Sequence, residues 1–110
     1  MPTETEMLRI KAVLILKRNA TRDYLDFVAL AERLGPDGVF TALANLDGLY
    51  PQPSGESALQ QLQVQLAHPL PYDLDGTNLA EYRRLDAKWH DWQLVSGRCA
   101  ALAADIFRRL

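Results

Sequence analysis

The chain predicts an all-α fold, a small bundle of about five or six helices with a helical hairpin at the N-terminus. Three observations carry that prediction. Apolar residues recur three or four apart in every long segment. Residues suited to capping stand ahead of the segments at Thr3, Thr21 and Thr77. No run of strand character has a partner strand elsewhere in the chain.

Thr3 and Glu6 form a capping box, and a first helix is expected over about 4–17. Met7, Ile10, Leu14 and Lys17 line one stripe of it, while Leu8, Ala12, Ile15 and Leu16 fill much of the rest. A helix this apolar all round packs on several sides. The run Ala12–Leu16 also suits a strand, but the flanking residues favour a helix. After the break Asn19-Ala20-Thr21, Thr21 is expected to cap a second helix over about 22–34, with Asp23 at the positive end of its dipole. Tyr24, Phe27, Val28, Ala31 and Leu34 mark its buried stripe; Asp23, Asp26 and Arg33 fall towards the other side. Gly35-Pro36 stops this helix, and Pro36 suits the first turn of a third over about 37–48. A loop follows from Tyr50 to Gly55. A fourth helix, over about 56–67, sets Leu59, Leu62, Val64 and Leu66 against four glutamines. The alternation of Leu62, Val64 and Leu66 also hints at a strand. His68–Asn78 reads as a plain connection, then a short helix over about 79–85 and a long one over about 86–109. Trp89, Trp92, Val95, Cys99, Leu102, Ile106 and Leu110 form the core stripe of that last helix.

A chain of 110 residues suits one domain, residues 1–110, with a core of its own. A net charge of −2 supplies no global basic field to attract nucleic acid, so such a contact would need a local patch. The single cysteine excludes an intrachain disulfide and a cysteine zinc site. Asp86 and His90 stand four apart, as metal ligands on one helix face can, but a solvated face explains them more simply. The acidic start lacks the basic opening of a secretory signal, and no apolar run approaches the roughly 20 residues of a membrane helix. A cytoplasmic protein without a membrane span is the expectation.

Charge is concentrated between Lys11 and Leu34. One reading treats Asp23 as a helix-start residue and Arg22–Asp26 as a surface pair contributing about 0.3–0.5 kcal/mol. The other has Lys11, Arg18, Arg22 and Asp26 converge at the helix junction to meet a phosphate or an acidic partner, since arginine forks suit phosphate oxygens. In an antiparallel hairpin Lys11 and Asp26 are offset by about one turn, which a lysine stem can span. Arg18 and Arg22 would form a positive mouth at the turn.

Lys11, Arg18 and the run Arg22-Asp23-Tyr24-Leu25-Asp26 resemble the segment that follows the catalytic strands in AbiEii-type nucleotidyltransferase toxins. The resemblance covers about 25 residues closely, and beyond them only as a helical tail. It implies catalytic roles for Lys11 and Asp26, phosphate or nucleotide contacts for Arg18, Arg22 and Asp23, and Mg²⁺ with a nucleoside triphosphate. It also implies a partner chain that carries the catalytic strands, or an antitoxin, and nucleic acid as acceptor. The Gly-Ser start and strand-borne Asp-x-Asp pair of those enzymes are missing; Asp73-Leu74-Asp75 lies in a loop. The resemblance therefore points to the helical C-terminal half of such an enzyme, inactive by itself. The alternative is a non-catalytic helical interaction or oligomerisation module, associating through the apolar first helix into a homo-oligomer.

Overall fold

The computed structural model describes residues 3–82 and 84–110. Its helices are α1 (Glu4–Arg18), α2 (Thr21–Leu43), α3 (Leu46–Leu49), α4 (Ala58–Ala67) and α5 (Trp92–Arg109). Short 3-10 turns at Leu74–Gly76, Leu79–Glu81 and Ala87–His90 punctuate the connection between α4 and α5. There is no strand among the described residues, so the fold is the all-α bundle that the periodicity predicts, and Ala12–Leu16 is helical.

α1 starts where Thr3 is expected to cap it: Thr3 Oγ1 accepts the Glu6 N–H at 3.1 Å. It ends at Asn19, whose φ of 48° is the left-handed turn asparagine tolerates. The chain then folds back, and α1 and α2 form the N-terminal hairpin. Arg9 Nε donates to the Ala42 carbonyl at 2.7 Å, so α1 also supplies a cation to the carbonyl end of α2. α2 bends at Gly35, where φ of 76° and the missing N–H of Pro36 interrupt the ladder. Two helical stretches meet at that kink, as the stop expected at Gly35-Pro36 implies; the second ends at Leu43, short of the expected 48, and residues 46–49 form a separate turn.

Most of the predicted stripe of α2 is buried, with Leu34 half-buried and Leu25 and Leu30 buried beside it. Tyr24, Phe27, Val28 and Ala31 are buried and join Leu8, Ala12 and Ile15 of α1, Leu62 and Leu66 of α4, and Val95, Cys99 and Ile106 of α5 in one core. The Tyr24 ring and the Trp92 ring of α5 pack in a T-shaped pair at a centroid distance of 6.0 Å and an interplanar angle of 89°.

Several expectations are corrected. α1, expected to pack on several sides, buries Leu8, Ala12 and Ile15, while Met7 and Ile10 of its other stripe stay more than a third exposed. Val64 is 69% exposed, because α4 faces the core with Ala58, Leu59, Leu62 and Leu66. α4 begins at Ala58, capped by Ser57, whose Oγ accepts the Gln60 N–H at 3.1 Å. Asp47 reinforces that start, accepting the Ser57 hydroxyl at 2.6 Å and the Leu59 N–H at 2.9 Å. These hydrogen bonds, the serine's above all, hold the Asp47 carboxyl below its ordinary range. The long last helix breaks at Asp91, whose side chain caps α5. The short helix expected over 79–85 is one 3-10 turn, Leu79–Glu81, and Arg83 within that range lies outside the described residues.

Candidate functional site

The charged residues singled out in the sequence lie along the α1–α2 hairpin, with Arg18, Arg22 and Asp23 at its turn. Lys11 Nζ lies 2.9 Å from Asp26 Oδ2, with both side chains partly exposed. The antiparallel hairpin therefore joins the pair across one turn of offset. Asp26 pairs with Lys11 and not with Arg22, so the helical i, i+4 pair expected on α2 is absent among the ion pairs of the described residues. Replacing Lys11 by alanine should lower stability by about 1 kcal/mol or less in denaturant titration, the usual range for a partly solvated pair.

Asp23 is the larger correction. It was expected towards the outer side of α2; instead its side chain is fully buried. Arg18 clamps it with both arms of the guanidinium fork, Nη2 to Oδ1 at 2.6 Å and Nε to Oδ2 at 3.1 Å. That contact raises the Arg18 pKa still further above its already high ordinary value.

Asp73 of the loop after α4 provides the remaining ties. Its Oδ1 accepts both the backbone N–H and the hydroxyl of Thr21 at 2.8 Å. The cap of α2 is thus supplied from a distant loop, while Thr21 itself is the first helical residue and buried. Burial of Asp73 acts to raise its pKa; the two Thr21 donors and nearby Arg22 outweigh it and lower the value. Two more bonds strap the loop to the turn: Tyr72 N–H to the Asn19 carbonyl at 3.1 Å, and Asn19 Nδ2 to the Leu70 carbonyl at 2.9 Å. Asn19 Oδ1 accepts the Tyr24 hydroxyl at 2.5 Å. The loop taken for a plain connection is therefore a strap over the hairpin turn.

Arg18 and Arg22 do line one shallow concavity with Ala20, Tyr72, Asp73 and Tyr82. It is not the positive mouth expected there. Arg18 is engaged by Asp23, and Arg22 faces the field of Asp73. No buried side-chain nitrogen or oxygen among the described residues is left without a hydrogen-bond partner. Chemically the arrangement is a closed polar junction that fixes two helices and a loop. Sequence reasoning missed Asp73, Asn19 and the strap. The Asp-x-Asp-Gly turn was visible, but its partner lies 52 residues away.

The remaining candidates are structural. His90 Nε2 sits 2.9 Å from the Tyr82 carbonyl, and Asp86 caps the 3-10 turn Ala87–His90. No cluster of three or more metal-ligating side chains occurs among the described residues. Cys99 is fully buried, and burial pushes its thiol up to about 12. Thiol labelling at pH 8 should therefore run roughly 10³-fold slower on the folded chain than in denaturant, from the loss of thiolate alone.

Within the described residues, no helix is long and apolar enough to cross a membrane. No protein-family model matches the chain, and no solved structure matches it. Known relatives do. The chain is 34% identical over 105 residues to the heme uptake protein MmpL11 of Mycobacterium tuberculosis, which covers 94% of this chain. It is 33% identical over 110 residues to the mycolic acid-containing lipids exporter MmpL11 of Mycolicibacterium smegmatis. It is 32% identical over 111 residues to the probable transport protein MmpL11 of Mycobacterium leprae. These similarities overturn the likeness to AbiEii-type toxins, which rested on about 25 residues; they run through nearly the whole chain. The toxin–antitoxin and nucleotidyltransferase readings fall with it. The Arg-Asp-x-x-Asp run that suggested them consists of a helix-pairing residue, Asp26, and a buried arginine partner, Asp23. The chain spans about a tenth of the length of these relatives, and it is to that part of the MmpL11 transport proteins that it is similar.

Proposed function

We propose that this chain is the counterpart of a helical segment of MmpL11-like transport proteins that does not itself span a membrane, and that it serves such a protein as a docking domain. The observation that carries this reading is the 34% identity over 94% of the chain. The junction of Arg18, Asp23, Thr21 and Asp73 supports it, because these polar groups are spent on holding the fold. The relatives carry different cargo in their names, heme in one and mycolic acid-containing lipids in another. A feature shared across them is better assigned to the assembly of the transport protein than to the recognition of one cargo.

A segment exchange tests this. In MmpL11 of Mycolicibacterium smegmatis, the matching segment is deleted in one strain and replaced by this chain in another, and export of mycolic acid-containing lipids is measured. Export lost on deletion and restored by the replacement is the expected result. Export unaffected by the deletion would overturn the proposal, as would a replacement that is present at normal levels yet exports no better than the deletion. Within the same proposal, residues 1–110 fold as a single unit, for which one cooperative transition in urea is expected. The chain is also assigned to the cytoplasmic side, where a lone buried thiol such as Cys99 stays reduced. A fused phosphatase that needs disulfides should then be inactive.

A further inference from the structure

We propose that the outward face of α1 is a self-complementary docking surface that pairs, antiparallel and two-fold, with α1 of a second copy of this chain. The helix is apolar on two sides. Leu8, Ala12 and Ile15 face the core. At about 100° per residue, Glu6, Ile10, Val13 and Lys17 fall on the opposite side, with Met7 and Leu14 beside them. Ile10 remains 41% exposed and Met7 37%, whereas Leu14 and Val13 are half-buried and Val13 also packs in part against the core.

The charges on α1 divide in the same way. Glu4 pairs with Arg33, Lys11 with Asp26 and Arg18 with Asp23, while Arg9 donates to the Ala42 carbonyl. Glu6 and Lys17 are exposed and take part in none of the ion pairs formed among the described residues. Glu6 stands in the acidic first turn and Lys17 in the basic last turn.

The spacing of these residues is palindromic. Glu6 and Lys17 are equidistant from the peptide bond between Lys11 and Ala12, and so are Ile10 and Val13. A two-fold axis at that point sets Glu6 against the second copy's Lys17 and Ile10 against the exposed part of its Val13, and repeats both contacts in reverse. An isologous interface requires this reciprocity. A parallel pair would instead oppose Glu6 to Glu6 and Lys17 to Lys17. The complementarity of this face to itself is what selects a second copy over an unrelated partner. One helix face of this length is small for an interface, so the association belongs to the weak, concentration-dependent class.

The test is sedimentation of the whole chain across roughly 10–500 µM, spanning the weak range. The mass is expected to rise with concentration from 12.4 kDa towards twice that value. Glu6→Lys and Lys17→Glu should each remain at the mass of one chain, since each opposes like charges at both ends. Their equal mixture should associate about tenfold or more tightly than either alone, because every pair is then of opposite sign. Ile10→Glu should abolish association. Unchanged far-UV circular dichroism and melting establish that each variant folds. A wild-type chain of constant single mass would overturn the proposal. So would single variants that associate as tightly as wild type, or a mixture that does not associate.

Discussion

Replacing Tyr24 by alanine should lower the stability of the chain by about 3–5 kcal/mol, the range for deleting a large buried aromatic side chain. Tyr24 is fully buried and stands at the centre of the helix packing. Its ring forms a T-shaped pair with the Trp92 ring, which joins α2 to α5, and its hydroxyl ends on Asn19 Oδ1 at the α1–α2 turn. Truncation opens a cavity, removes an aromatic pair and leaves the asparagine oxygen without its donor. At roughly 4 °C per kcal/mol for a chain of this size, the melting temperature should fall by about 12–20 °C. Tyr24→Phe separates the two contributions, because it keeps the ring and should cost only about 1 kcal/mol. Equal losses for the two variants in urea titration would show that the hydroxyl bond, and not the packing, dominates.

Asp73→Ala should be the largest effect among exposed or half-exposed positions, about 2–3 kcal/mol. It removes the cap of α2, typically worth about 1 kcal/mol, and leaves the buried Thr21 hydroxyl without a partner, about 1–2 more. Asp73→Asn keeps an acceptor oxygen and should recover about half of the loss. The same carboxylate links stability to pH. Its folded pKa is lowered, as is that of Asp47. A group with a depressed folded value stabilises fully above its unfolded pKa, near 4, and the contribution fades as pH falls from there through the folded value. Urea midpoints should therefore be flat from pH 7 to about 5 and decline below about 4, and the decline should be shallower in Asp73→Ala. An identical acid limb in wild type and variant would show that Asp73 does not carry it.

The residues of the functional reading divide by the range of their contacts. Lys11 and Asp26 were legible as a pair because a short turn between two helices fixes which residues oppose one another. Asp23 was misplaced on the outer side. Helical spacing alone could not show that Arg18, reaching from the end of the preceding helix, makes the burial of its charge tolerable. The likeness to nucleotidyltransferase toxins came from the same short run, where residue types that hold a helix junction coincide with types that hold a phosphate. Arginine forks and carboxylates serve both chemistries, so a stretch of that length does not distinguish them.

By itself, the sequence determined the all-α class, the Thr3 start of α1, the helix break at Gly35-Pro36 and most of the core stripe of α2. Each depends on atoms within a turn or two along the chain, through the helical period or a local cap. Only the tertiary structure decided that Asp73 caps α2, that Arg18 neutralises a buried Asp23, that Val64 faces outward and that α1 turns Ile10 away from the core. A nearly all-apolar helix has no preferred face until its neighbours are placed. A carboxylate 52 residues from its partner meets it only after α4 and the loop behind it have packed.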